Sequence, residues 1–214
     1  MSNVEDLVSR IDSEFAALDK QIKEFQTEQV HVYEGRQQRL EQYRKVCEQL
    51  RGVWTPRIDA LAKKFGDKVK VTPRVTPSLR EAKMEFSTPL ADIVLRFTAT
   101  TDQEVRNLVL GYDLHILPIL MKYEKHAQIE FPLDAPNPDA IGRWIDDRIV
   151  DFVKTYLSLH QNEYYLKGHL VTDPITGTQF PSYAAAATLE WEGKTYYFIG
   201  DETRKEFAAK KGIQ

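Results

Sequence analysis

Residues 93–116, IVLRFTATTDQEVRNLVLGYDLHI, decide the fold class of this chain. Apolar side chains alternate with other side chains over residues 93–99 and again over residues 108–116. A period of two is typical of β-strands that bury one face. A short polar segment around Asp102 joins the two runs, so we expect them to pair as antiparallel neighbours.

Two more alternating runs extend this sheet. The first includes Met84 and Phe86, and the second covers residues 121–131. Their short connections predict an antiparallel meander of four strands. Residues 69–77 are interpreted as a linker or an edge, because the prolines in this stretch cannot donate hydrogen bonds within a central strand.

A long helix is predicted to cover the sheet. Asn137 and Pro138 provide a cap and a first-turn proline, and apolar residues from Ile141 to Tyr156 recur at spacings of three and four. This spacing predicts a helix of about 20 residues packed on the apolar face of the sheet. The space between helix and sheet is either a filled core, which is the default interpretation, or a cleft for a small molecule.

The N-terminal region carries a heptad seam. Its apolar residues follow one another at steps of four and three: Val4, Val8, Ile11, Phe15, Leu18, Ile22 and Phe25. This pattern predicts a helix that pairs along one stripe. The charged residues between them have both signs and are interpreted as solvated flanks. We expect these seven residues to mediate self-association into a homo-oligomer.

The seam lapses around residues 26–38, and a second seam follows over residues 40–54. Two structures fit this pattern: one long helix with an irregularity, or a helical hairpin that turns near residues 31–35. Either one is a coiled-coil or helical-hairpin arm over residues 1–52. A separate short helix is expected to begin at Pro56 and to end at Gly66.

The last fifth of the chain has a different pattern. It contains an opening turn, DPITG, and a hairpin, WEGKTYYF, whose two-residue tip is predicted at Glu192 and Gly193. A closing helix follows, in which Asp201 is expected to be the cap. This pattern resembles the YHS domain. The matching framework residues are Asp173, Pro174, Gly177, Trp191, Gly193, Thr195, Tyr196, Tyr197, Phe198, Arg204 and Phe207.

The resemblance implies a small ββα module. In family members attached to copper-pumping ATPases and related metal-handling proteins, it also implies a metal site built from cysteine and histidine. Here those positions hold Thr176, Ile199 and Thr203, and the His-Ser pair of the family is Ala187-Thr188. These side chains are not the thiolate or imidazole donors that such a site needs. We therefore expect the fold of the module without a metal or another cofactor.

Composition narrows the classes of partner. The 214 residues carry a formal net charge of −3, and no Lys/Arg run is longer than two, which argues against nucleic acid. The single cysteine, Cys47, favours a reducing compartment. No stretch approaches the 18 or so apolar residues that span a bilayer, and the first residues lack an apolar segment. We therefore expect a soluble cytoplasmic protein with no membrane partner.

The sequence thus predicts an α+β protein in three parts: an arm (1–52), a sheet-and-helix domain (53–166) and a YHS-like module (167–214). No phosphate-binding loop, nucleophile elbow or zinc-binding helix motif occurs, so no catalytic residue is predicted. The leading hypothesis is a non-enzymatic, self-associating scaffold protein. Binding of a further protein partner is an additional option. The alternatives are a metal sensing or trafficking protein of the YHS type, and a small-molecule-binding protein or enzyme that uses the sheet-helix cleft.

Overall fold

The computed structural model of the chain describes residues 2–213. The protein is α+β, with a long N-terminal helix, a five-stranded antiparallel sheet and a C-terminal segment of short strands and a helix. In chain order the elements are α1 (Ser2–Phe65), β1 (Val69–Thr76), β2 (Leu79–Phe86), β3 (Asp92–Thr101), β4 (Asn107–Leu117), β5 (His126–Pro132), α2 (Pro138–Leu159), α3 (Glu163–Leu166), β6 (Leu170–Thr172), β7 (Gln179–Pro181), β8 (Ala187–Trp191), β9 (Lys194–Phe198) and α4 (Asp201–Lys211).

Helix α1 is continuous over 64 residues, which corresponds to a length of about 96 Å. It passes through residues 31–35, so of the two predicted structures the single helix is observed and the hairpin is not. Gly35 weakens a helix by only about 1 kcal/mol, which does not end a helix that the core holds further along. The helix also runs through residue 52 and Pro56, so the predicted short helix is the last part of α1.

Strands β1 to β5 form a meander in which each strand pairs antiparallel with the next. Leu95 lies opposite Leu114, and Phe97 lies opposite Tyr112, so the alternating apolar side chains of β3 and β4 share one face. The sheet has one strand more than the four predicted. The additional strand is β1, the stretch interpreted as a linker or an edge. It lies at the sheet edge, where a proline is tolerated.

The predicted strand over residues 121–131 is shorter than expected, because β5 begins only at His126. Met121 and Tyr123 precede it in irregular chain and pack against the core as half-buried side chains. The hydroxyl of Tyr123 accepts a hydrogen bond from the Ile116 amide at 3.0 Å. The apolar spacing of these two residues therefore reflects core packing and not strand pairing.

Both long helices pack on the apolar face of the sheet. Tyr43 and Leu50 of α1 and Phe152 of α2 are buried, and the Tyr43 hydroxyl donates to the Ala99 carbonyl at 2.6 Å. Residues 43–61 of α1 therefore pack on the sheet of their own chain, and the predicted domain boundary at residue 52 falls inside this packed part. Helix α2 covers the sheet as predicted, and its first turn is capped by Asn137 (Oδ1 to the Ala140 amide, 3.0 Å).

The C-terminal segment contains two hairpins and α4. The β8–β9 hairpin turns at Glu192 and Gly193, whose φ angles of 49° and 72° are those that a two-residue type I′ turn requires. This turn is the one predicted. Helix α4 differs at its start: its cap is Gly200, and Asp201 is the first helical residue. The Asp201 carboxylate instead pairs with Arg204 at 2.8 Å, because side chains three residues apart meet on a helix surface.

Candidate functional site

The first half of α1 is an exposed arm. Residues 4–34 are all exposed, and the first strongly buried side chain is Tyr43. From here on, the arm means residues 4–34 alone and not the predicted arm over residues 1–52. The rest of the described structure is called the body. Just after the arm, the helix contacts the body where the Arg39 Nε donates to the Glu104 carbonyl at 2.9 Å. The body therefore holds the arm at one end, and solvent surrounds the arm along its length.

The seven residues predicted to mediate self-association form one apolar stripe along the arm. We call them the arm seam: Val4, Val8, Ile11, Phe15, Leu18, Ile22 and Phe25. Their exposed fractions run from 45% at Ile11 and Ile22 to 67% at Val4. Fully burying one such side chain is favourable by about 1.5–3 kcal/mol. The arm seam is thus the part of α1 with most to gain from another helix.

The charged residues beside the arm seam are sorted by position. Heptad positions e and g lie directly beside the a and d positions of a seam. Here they carry five exposed acidic residues and no basic residue: Glu5, Asp12, Glu14, Asp19 and Glu28. We call these five the acidic flanks. The basic residues Arg10, Lys20 and Lys23 occupy outward positions, where Lys20 pairs with Glu24 at 3.8 Å.

A second candidate is a cleft of about 460 Å³ between α1, α2 and the sheet. Its walls are mainly apolar, with the indoles of Trp54 and Trp144 contributed by the two helices and Ala82 and Phe97 by the sheet. This volume lies in the range of small-molecule sites. The sequence does not decide whether the space between helix and sheet is a filled core or a cleft, and the structure contains a cleft there.

Polar groups at the cleft have restricted chemistry. Burial raises the pKa of the Cys47 thiol, with the nearby Tyr43 hydroxyl and Arg80 opposing that rise. A thiol with a raised pKa is protonated at neutral pH and is a weak nucleophile. The Arg80 guanidinium is engaged by the carbonyls of Leu79 (3.0 Å) and Thr76. These groups can shape and orient a ligand but do not form a nucleophile and base pair.

The Asp173 carboxylate is a centre of backbone hydrogen bonding in the C-terminal segment. Asp173 is fully buried and accepts hydrogen bonds from the amides of Ile175 (2.8 Å), Thr176 (3.1 Å) and Ile199 (3.0 Å). Burial by itself raises the pKa of Asp173, but the hydrogen bonds from these amides outweigh it, and the net pKa is lowered. The carboxylate thus joins the opening turn to the end of β9.

The C-terminal segment also contains an aromatic cluster. Phe207 of α4 contacts the rings of Tyr196 and Phe198 at centroid distances of 4.7 and 5.4 Å. The Lys211 ammonium lies 4.5 Å from the Trp191 ring centroid, a cation–π arrangement. Gly177 has a φ of 72°, which suits the close of the opening turn. Pro174 is exposed and Tyr197 half-buried. The rings of Trp191, Tyr196, Phe198 and Phe207 therefore form the small core of the segment.

Two threonines that the resemblance assigns to metal-binding positions of the YHS family, Thr176 and Thr203, form hydrogen bonds within the segment. Thr176 Oγ1 donates to Thr178 Oγ1 at 3.0 Å, and Thr203 Oγ1 donates to the Gly200 carbonyl at 2.9 Å. Within residues 2–213, no three His, Cys, Asp or Glu side chains are grouped closely enough to hold a metal ion.

Across the same described range, no helix is long and apolar enough to cross a membrane. Comparisons with protein-family models, with curated proteins and with solved structures found no match for this chain.

Proposed function

We propose that this chain is a non-enzymatic assembly protein whose arm pairs with a helix of another polypeptide along the arm seam. The observation that carries the proposal is the exposure of an uninterrupted apolar stripe on a helix that the body anchors. The stripe extends over residues 4–25, which is about 33 Å of helix. Isolated helices are marginally stable, and packing of an apolar face supplies most of their stability.

Self-association is the simplest form of this assembly, because a second copy provides an identical arm seam. The acidic flanks repel one another in such a pair, so self-association is expected to be strongest where salt screens them. At about 1 M salt the screening length is about 3 Å. Under that condition the apolar contribution of the arm seam dominates.

The test is the absolute molar mass of the full chain, by light scattering at about 1 M salt. We expect a multiple of the 24.8 kDa chain mass. A double variant, Ile11→Glu with Leu18→Glu, should have the mass of one chain. The matched control is Ser9→Glu with Ser13→Glu, which adds the same charge at outward positions of the arm and should assemble normally. Equal masses for the seam and control variants would contradict self-association through the arm seam.

A second candidate function is supported by the cleft between Trp54 and Trp144. In this case the body would hold a small apolar or aromatic molecule. Fluorescence titration with 1-anilinonaphthalene-8-sulfonate should then saturate, and Ala82→Phe, which fills the cleft, should abolish the response. The control is Ala209→Phe on the exposed surface of α4. An identical response from both variants would remove this candidate.

We further propose that the C-terminal segment is a YHS-like module that folds without metal, supported by its buried Asp173 and its aromatic core. Elemental analysis after incubation with zinc and copper should find no stoichiometric metal. A bound equivalent would favour the metal sensing or trafficking alternative. We also propose a reducing, cytoplasmic setting, because the single cysteine, Cys47, cannot form a disulfide within the chain.

A further inference from the structure

We infer that the arm seam takes a helix with basic flanks in preference to a second copy of this chain. The inference rests on the proposed function, because it names the partner of the same surface. Its basis is the sorting of charge around the seam. All five charged residues at flanking positions are acidic, whereas Arg10, Lys20 and Lys23 lie at outward positions.

A parallel pair of two copies has no attractive charge pair at its flanks. In a parallel coiled coil, a g residue faces the e residue of the following heptad in the other helix. This rule places Glu14 opposite Asp19 of the second copy, which is a like-charge pair. Leu7 faces Asp12 and Gln21 faces Gln26 in the same alignment. The flanking charges therefore destabilise this parallel pair. A shift of register gives no attractive charge pair either.

An antiparallel pair of two copies is no better. In that orientation e residues face e residues and g residues face g residues. Since these positions carry only acidic or uncharged side chains from Glu5 to Glu28, every register places acid against acid or against a neutral group. A helix with Lys or Arg at its e and g positions, by contrast, meets each acidic flank with an opposite charge.

The chain offers no helix of that kind in its described part. Helix α4 is rich in basic residues, but its apolar Phe207 is buried against the β8–β9 hairpin. The apolar stripe of α2 is buried against the sheet, as Ile145 and Phe152 show. The partner that we propose is a helix of another protein, with apolar residues at a and d and basic residues at e and g.

The experiment uses two synthetic helical peptides that share the arm seam sequence at a and d. One carries Lys at every e and g position, and the other carries Glu there. Binding to the full chain is measured by fluorescence anisotropy at about 0.1 M and at about 1 M salt. We expect the Lys peptide to bind at least about tenfold more tightly at the lower salt, with the advantage lost at the higher salt.

A matched pair of variants locates the effect. Glu14→Lys with Asp19→Lys reverses two flanking charges and should lower the preference for the Lys peptide. Asp6→Lys with Glu24→Lys makes the same change in net charge at outward positions and should leave the preference largely intact. All four positions are exposed, so both variants keep the fold of the body.

The outcomes separate this inference from the proposed function. Equal binding of the two peptides at 0.1 M salt, or tighter binding of the Glu peptide, overturns the inference while the arm seam remains a pairing surface. The same conclusion follows if the full chain forms a homodimer at this salt that the Lys peptide cannot displace. Failure of both peptides to bind at either salt, by a chain that light scattering shows to be monomeric, contradicts the proposed function together with the inference.

Discussion

Replacing Asp173 by Asn is expected to destabilise the C-terminal segment without changing its shape. The native carboxylate accepts from three amides, with Oδ1 serving Ile175 and Thr176 and Oδ2 serving Ile199. An asparagine oxygen can retain the first two bonds as weaker neutral ones. Its NH₂ group would then face the Ile199 amide, so a donor meets a donor and that bond is lost.

The magnitude follows from these three bonds. A hydrogen bond to a charged group contributes about 1.5–3 kcal/mol, and a neutral one about 1 kcal/mol. Losing the bond to Ile199 and weakening the other two gives a total cost of about 3 kcal/mol. A free energy of this size corresponds to a change of about 150-fold in the equilibrium for local opening.

The effect also has a defined pH dependence. The pKa of Asp173 is lower in the folded state than the value near 3.9 of an unfolded chain. A group of this kind contributes its full stability above the unfolded pKa and loses it as the pH falls through the folded pKa. The difference in stability between the native protein and Asp173→Asn should therefore be constant above about pH 5 and shrink below about pH 4.

Amide hydrogen exchange measured by NMR tests this prediction at the residues concerned. The amides of Ile175, Thr176 and Ile199 should exchange about 150-fold faster in Asp173→Asn than in the native protein. Asp201→Asn, which alters a carboxylate of the same segment that pairs with Arg204 and Lys205 and not with these amides, is the control and should leave these rates nearly unchanged. Equal rates in the native protein and Asp173→Asn would refute the role given to this carboxylate.

Two further predictions concern the body. Phe152→Ala removes a fully buried ring that contacts Phe86 at 4.7 Å, and urea unfolding should report a loss of about 3–5 kcal/mol; a loss under 1 kcal/mol would mean that the cavity collapses. The pKa values of His126 and His160, measured by NMR, should differ from the ordinary histidine value in opposite directions. The pKa of His126 is raised by its hydrogen bond to Asp113, while burial lowers that of His160. Asp113→Asn should reduce the His126 pKa alone, and a raised His160 pKa would contradict this assignment.

Much of the sheet could be predicted from sequence because its signals are local. The alternation over residues 93–99 and 108–116 specifies which side chains share a face, and the short connection specifies antiparallel pairing. The Asn137 cap and the Glu192-Gly193 turn are likewise set by a few neighbouring residues. The sequence does not decide whether β1 is a linker or an edge strand, since proline argues against a central strand and equally permits an edge.

The covering of α1 could not be predicted, because a heptad pattern is the same whether it faces a partner helix or a sheet. Tyr43 and Leu50 continue the spacing of the arm seam, yet they pack on β-strands of their own chain. The cleft depended on the relative placement of Trp54, Ala82 and Trp144, which are distant in sequence. The acidic flanks can be identified from the sequence if the charged residues are assigned to heptad positions and not only counted by sign.

The most direct test of the arm as an assembly surface is hydrogen exchange of its backbone amides, followed by mass spectrometry on the full chain. In a dilute sample at low salt, we predict fast exchange over residues 4–34 and slow exchange over residues 43–61. At high protein concentration and about 1 M salt, exchange over residues 4–34 should slow markedly while that of residues 43–61 stays the same. Arm amides that exchange equally fast under both conditions, or that are already protected in the dilute sample, would contradict the account.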